Sequence, residues 1–251
     1  MQDLWNPCVI IPVYNHEHAI ENVVLGVLNH HLPIVLVNDG SSPECVKVLV
    51  ELADKHADCV LVSLPENRGK GGAVKAGIRE AWMRGYSHAL QVDADGQHNL
   101  NDLPSFLAVA QKSPSIIVSG CPVYDETVPT VRFYARYLTH IWVIINSLSL
   151  QIKDSMCGLR VYPLAAVCRL IDEEFLGNRM DFDPELLVRW VWRGGEVTNI
   201  ETHVRYPADG VSHFQLFQDN VLITKMHTRL FFGMLARLPR LIWRKISTTA
   251  T

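Results

Sequence analysis

Ile34-Val-Leu-Val-Asn-Asp-Gly-Ser-Ser-Pro43 decides the fold. Four apolar residues in a row, three of them β-branched, suit a strand buried on both faces. Asn38-Asp-Gly40 then turns the chain. Ser42-Pro43 reads as a helix N-cap with proline at the first helical position. The helix that follows carries Val46, Leu49, Val50 and Ala53. Strand, polar turn and helix together make the repeating unit of a parallel sheet.

The same unit recurs on either side. Upstream, Cys8 to Val13 is a short strand and Glu17 to Leu28 has helical spacing of its apolar residues. Downstream, strands are expected at Cys59 to Leu64, Ala89 to Val92 and Ile116 to Val118, with helices at Gly72 to Met83 and Leu103 to Ala110. The fold class is therefore α/β, a mostly parallel central sheet with helices on both faces. The second half is less regular. Arg132 to Leu150 reads as a helix, Asp154 to Tyr162 as a loop and short strand, and Pro184 to Trp192 as a helix closed near Gly194-Gly195. Glu196 to Tyr206 suits one or two strands, and Gln215 to Arg244 a helix broken at Pro239. A division at 1–215 and 216–251 follows, a catalytic domain and a basic amphipathic helical tail.

Composition narrows the function. A net charge of −3 over 251 residues argues against a nucleic-acid binder. The six cysteines form no Cys-x-x-Cys pair, so reduced, mostly buried thiols are expected rather than a zinc site or disulfides. No early basic residues mark a signal peptide, and Ile141 to Leu150, the best candidate for a span, is about half the length a bilayer needs and contains Asn146 and two serines. A cytoplasmic protein is the expectation, with peripheral contact at the inner face of the cytoplasmic membrane. That contact is suggested by the tail, where every charged residue from Lys225 to Lys245 is basic and none after Asp219 is acidic. A helix simply packed on the domain accounts for its apolar residues, but not for this charge bias.

In parallel α/β sheets ligands bind beyond the carboxyl ends of the strands. Here those places hold Tyr14-Asn15-His16, Asp39-Gly-Ser-Ser42, Glu66-Asn-Arg-Gly-Lys-Gly-Gly72 and Asp93-Ala-Asp-Gly-Gln-His98. Asp93 and Asp95 project to the same side of an extended chain and repel one another unless a cation lies between them. The bland reading is a solvated acidic turn. Three glycines with Arg68 and Lys70 ahead of a helix suit a diphosphate, or equally a flexible turn. Asp39 is placed to accept hydrogen bonds from a base or ribose, and Asp39-Gly-Ser-Ser42 also serves simply as a turn and cap.

Taken in order, these segments resemble family 2 glycosyltransferases, most closely the branch of dolichol-phosphate mannose synthase and bacterial polyprenyl-phosphate glycosyltransferases. The resemblance runs through Asp154-Ser-Met-Cys-Gly-Leu-Arg160, Phe182-Asp-Pro-Glu-Leu-Leu187 and Gly210-Val-Ser-His213, about residues 8 to 215. It implies a GT-A type fold and an inverting transfer of a sugar from a nucleoside-diphosphate donor, UDP- or GDP-linked, to a lipid-linked acceptor such as polyprenyl phosphate. Pro12, Tyr14 and Asn15 would line the nucleoside pocket, Glu17 would lie near the donor and Asp39 would meet the base, with Arg68 and Lys70 at the phosphates. Asp93 would lie near ribose or metal, and Asp95 and Gln97 would hold Mg²⁺ or Mn²⁺. Arg132, Arg136, Arg160 and His213 would serve the acceptor. His213 stands where this branch usually has lysine, and the transmembrane anchors of many relatives have no counterpart. A hydroxyl acceptor would need a carboxylate base, Asp154 first, then Asp181 or Asp183. Asp154 suits a loop-ordering role nearly as well. Two other readings are a sugar-1-phosphate nucleotidylyltransferase, disfavoured because Pro12-Val-Tyr-Asn15 stands where its glycine-rich loop belongs, and a non-catalytic nucleotide-sugar-binding protein.

Overall fold

The computed structural model describes residues 5–123, 130–204 and 216–249. Side chains in the first part of the helix that begins at residue 130 are outside that description, as is His213. Among the described residues, seven strands form one sheet: β1 (Pro7–Val13), β2 (Ile34–Asn38), β3 (Cys59–Ser63), β4 (His88–Gln91), β5 (Ile117–Val123), β6 (Arg160–Pro163) and β7 (Val197–His203). Their order across the sheet is β3-β2-β1-β4-β6-β5-β7. Every pairing is parallel except those of β6, which runs antiparallel to both β4 and β5.

The described residues hold eight α-helices, of which the last follows β7 and the others connect strands: α1 (Ile20–Leu28), α2 (Pro43–Lys55), α3 (Lys70–Met83), α4 (Leu103–Lys112), α5 (Thr130–Ser147), α6 (Leu164–Glu173), α7 (Phe182–Trp192) and α8 (Leu216–Thr249). Alternate strand residues face opposite sides. Val9, Ile11, Ile34 and Leu36 pack under α1, α2 and α4, while Cys8, Ile10, Val35 and Val37 pack under α3, α6 and α7. The mostly parallel sheet with helices on both faces is thus as read from the sequence. Ser42 caps α2 as expected, its hydroxyl accepting the Cys45 amide at 3.3 Å with Pro43 at the first turn. Gly194, at φ +90, ends α7. All six cysteines are free, five buried and Cys121 partly so.

The sequence reading is corrected in two places. Leu164 to Glu173, where no helix was expected, forms α6. The C-terminal helix runs unbroken through Pro239. Both Pro239 and Leu235, whose carbonyl loses its helical partner, are exposed, so the place where the ring removes a hydrogen bond is open to solvent. One stripe of α8, including Ile223, Met226, Leu230 and Met234, is buried in the same core as α3 and α7.

Candidate active site

The sheet order reverses between β1 and β4, and crevices in open α/β sheets form at such switch points. The loops after β1, β2, β3 and β4 all emerge at this edge and are tied together. Asn15, held at φ 54, accepts the Ser42 amide on its side-chain oxygen at 2.8 Å, while its own amide donates to the Ser41 hydroxyl at 3.2 Å. The Ser41 amide donates to Asn38 Oδ1 at 2.9 Å. Asp39 is buried, and its Oδ1 accepts the Arg68 amide at 2.7 Å while Asn67 Nδ2 donates to its carbonyl at 3.2 Å. Burial raises the Asp39 pKa against the opposing pull of the Arg68 and Gly69 amides and the Arg179 charge. Gly40 must be glycine here: at φ +66 a side chain would also strike the Glu66–Asn67 backbone.

The centre of the site is a cluster of charges. Lys70, at the first turn of α3, lies 2.9 Å from the Asp93 carboxylate and 3.4 Å from Asp183 Oδ2. Burial alone would lower the lysine pKa; Asp183 and Asp93 outweigh it and hold the ammonium firmly charged. For Asp93, burial works the other way and is outweighed by Lys70 and His98, so its pKa lies far below the carboxylate range. His98 Nε2 is 3.4 Å from Asp93 Oδ2, and its backbone bridges to Val204. Gly158 approaches so closely that a Cβ there would collide with the Asp93 carboxylate.

Asp95 differs. Its Oδ1 accepts the Gln97 amide at 3.0 Å, but burial and the Asp93 charge raise its pKa. That is the mark of a carboxylate with too little positive charge nearby, and a hard divalent ion at Asp95 and Gln97 fits it. Among the described residues no group of three or more His, Cys, Asp or Glu side chains is arranged to hold a metal. Further ligands would have to come from elsewhere, as substrate phosphates commonly supply them. Pro12, Tyr14 and Glu17, at or just beyond the end of β1, are half-buried, and Glu17 Oε2 is buried with no hydrogen-bond partner among the described residues. Arg68 is exposed on the loop that Asp39 holds.

Three other expected residues are engaged. Asp154 Oδ1 accepts the Met156 and Cys157 amides at 2.9 and 2.8 Å, the loop-ordering arrangement. Asp183 pairs with Lys70 and with Arg160. Arg160, expected at the acceptor, is instead fully buried. It donates to the carbonyls of Ser155, Cys157 and Asp183 and to Ser119 Oγ, because it stands at the start of an interior strand. Neither Tyr162 nor Gln91 is among the site residues expected from the sequence. The Tyr162 hydroxyl donates to Gln91 Oε1 at 2.8 Å, and Gln91 Nε2 lies 3.4 Å from Asp93 Oδ1, a buried line of support behind the acidic pair. A tyrosine two residues after Arg160 was the one signal for it. Arg132 and Arg136 lie in the first turns of α5, with side chains outside the described residues.

The chain is similar to known proteins in sequence and in fold. The chain is 30% identical over 199 residues to a dolichyl-phosphate beta-glucosyltransferase of Trichomonas vaginalis, covering 71% of this chain and 59% of that one. It is 26% identical to the UDP-N-acetylglucosamine–dolichyl-phosphate N-acetylglucosaminyltransferase of Methanococcus voltae, covering 72% of this chain and 78% of that one. The chain thus spans about three-fifths of the length of the Trichomonas protein. In fold it matches the glucosyl-3-phosphoglycerate synthase of Mycobacterium tuberculosis, solved with Mn²⁺, UDP-glucose and phosphoglyceric acid, at TM-score 0.67 and 14% identity, over 92% of this chain and 79% of that one. It also matches a mannosyltransferase of Pyrobaculum calidifontis, solved with GDP-mannose and Mn²⁺, at TM-score 0.58 and 17% identity, over 98% of this chain and 75% of that one. Both are GT-A enzymes, and the fold here is of that type. The family model "Glycosyl transferase family 2" matches residues 8–176, so the chain belongs to glycosyl transferase family 2.

Proposed function

We propose that this protein transfers a sugar from a nucleoside-diphosphate donor to a lipid-linked phosphate, with inversion at the anomeric carbon. The observation that carries the donor half is the meeting of Lys70, Asp93 and Asp95 at the switch point, beside a glycine-rich helix N-terminus. The nucleoside would lie along Pro12, Tyr14, Asn15, Glu17 and Asp39, and the diphosphate before Arg68 and Lys70. Mg²⁺ or Mn²⁺ would be held by Asp95 and Gln97, with Asp93 behind. Such an ion supplies Lewis-acid stabilisation of charge on the departing diphosphate. Lys70 adds a fixed positive charge, and Tyr162 and Gln91 keep Asp93 from turning away. The acceptor attacks from the opposite face of the sugar.

The acceptor half follows from the carboxylates. Asp154 and Asp181 accept backbone amides and Asp183 pairs with Lys70 and Arg160, so none of the three is disposed as a general base. A hydroxyl nucleophile requires one, whereas a phosphate monoester arrives ionised. The relatives named above carry dolichyl phosphate in their names, which supports the same choice.

An apolar surface supports a membrane setting. Tyr137, Leu138, Ile141, Trp142 and Ile145 of α5 are exposed at helical spacing, and so are Phe232, Leu235, Ile242, Trp243 and Ile246 of α8. Trp142 and Phe232 both pack against Phe231, at ring-centre distances of 6.3 and 5.9 Å, which joins the two stripes. Exposed Arg240 and Lys245 lie on α8 near this apolar stripe. No described helix is long and apolar enough to cross a membrane. The test of the acceptor is release of nucleoside diphosphate in the presence of a short polyprenyl phosphate or the matching polyprenol. Release with the phosphate alone is expected; release with the alcohol alone would show that the acceptor is a hydroxyl.

A further inference from the structure

Glu185 lies fully buried on α7, two residues beyond Asp183, and among the described residues shares no hydrogen bond or ion pair with the proposed donor or metal residues. A carboxylate in that position needs partners, and it draws them from three segments. Arg189, one turn along α7, places Nε and Nη2 on Oε1 at 3.0 and 2.9 Å. Arg229 of α8 places Nε on Oε1 at 3.0 Å and Nη2 on Oε2 at 2.7 Å. The Gly177 amide donates to Oε2 at 3.0 Å. The Arg229 guanidinium also lies over the Phe175 ring, 4.6 Å from its centre, so it is held on two sides.

Gly177 belongs to the segment between α6 and α7, which closes over the glycine-rich loop. The Gly72 amide donates to the Asn178 carbonyl at 2.8 Å. Lys75 Nζ reaches the Leu176 and Gly177 carbonyls at 2.9 and 3.1 Å and Asn178 Oδ1 at 2.5 Å. Arg179 and the Asn178 carbonyl fill the space where a Gly69 side chain would go, and Phe182 fills that of Gly71. An unbroken series of bonds therefore runs from α8, through Arg229, Glu185 and Gly177, to the N-terminus of α3. An ion pair with a buried carboxylate and a half-exposed arginine adds little net stability, because desolvation and solvent screening offset its attraction. What it supplies here is position.

We propose that Glu185 and Arg229 are positioning residues for the donor: they fix the 176–181 segment, which holds Gly69–Gly72 in the shape that receives the diphosphate. The proposal deepens the donor reading above and rests on it. The experiment uses the full chain with UDP and GDP, each titrated calorimetrically in the presence of Mn²⁺, and amide hydrogen exchange read at Gly72 and Gly177. If the wild type binds neither nucleotide, the donor reading fails and the clamp with it. With wild-type binding established, Arg229→Met is expected to raise the nucleotide Kd by about 10-fold, the scale of one to two weakened hydrogen bonds. Exchange at Gly72 and Gly177 quickens, and the donor KM rises while kcat at saturating donor stays within about twofold, as for lost uniform binding. Arg229→Lys keeps the charge but loses the fork, and falls between, near 3-fold; it carries the same test if Arg229→Met does not fold. A lowered melting temperature with unchanged Kd and unchanged Gly72 exchange would overturn the proposal and leave the pair merely structural.

Discussion

Asp93 and Asp95 stand two residues apart in opposite electrostatic states. Asp93 is neutralised by Lys70, and Asp95 is left short of positive charge. The pair was legible because it directly follows a strand and its spacing puts both carboxylates on one side. Which of the two has room for a cation was not, because Lys70 lies 23 residues upstream and only the fold brings it in. Arg160 shows the converse. A motif identifies the residue type, but burial at the start of an interior strand turns an expected acceptor contact into an internal strut. Asp95→Ala is expected to lower turnover by about 10²–10³-fold, the usual loss for one electrostatic stabiliser of departing charge. Its melting temperature should stay near that of the wild type, since Asp95 makes one side-chain bond, to a neighbouring amide. Steady-state kinetics with and without added chelator, beside a thermal melt, check this.

At the scale of elements, the first half was legible because short apolar strands alternate with amphipathic helices across polar turns, and α2 has its own cap at Ser42. Helix α6 has the right spacing, Leu164, Val167, Cys168 and Ile171, but follows β6 at Pro163 with no polar turn and no side-chain cap to mark its start. The α5–α8 pair was legible as amphipathic but not as a pair. Its interface holds His227, whose Nδ1 lies 3.2 Å from Asn146 Nδ2 and whose pKa burial pushes down to about 4. A neutral histidine in the folded chain and a protonated one in the unfolded chain give full stability above about pH 6.5 and a progressive loss toward pH 4. Chemical denaturation at pH 7 and pH 5 should show a loss of about 2 kcal/mol attributable to this residue, absent in His227→Gln. An equal slope in both proteins would remove His227 from the account. The outer faces of the same helices lead to a second prediction. Flotation with anionic vesicles should succeed at low salt, and changing Arg240 and Lys245 to Gln should cost about 1 kcal/mol per cation removed. Failure to float at low salt would rule out the membrane face.

At the scale of the molecule, the four polar loops occupy the first hundred residues and were legible as one site, since parallel strands must deliver their carboxyl ends to one edge. The contribution of the second half was less so. Asp183 meets Lys70 across 113 residues, and the segment after α6 seats itself on the glycine-rich loop; neither juxtaposition has a periodic signature. The antiparallel β6, inserted between β4 and β5, makes these meetings possible by returning the chain to the switch point with Gly158 against Asp93. The central claim is that this edge transfers a sugar to a lipid-linked phosphate. Its most direct measurement is mass spectrometry of lipid products after the full chain is incubated with polyprenyl phosphate, Mn²⁺ and a panel of UDP- and GDP-sugars. A lipid phosphate heavier by one sugar unit is expected with at least one donor. It should be absent with Asp95→Ala or excess chelator. Nucleotide binding without any such product, across the whole panel, would contradict the claim and leave a binding protein on a transferase scaffold.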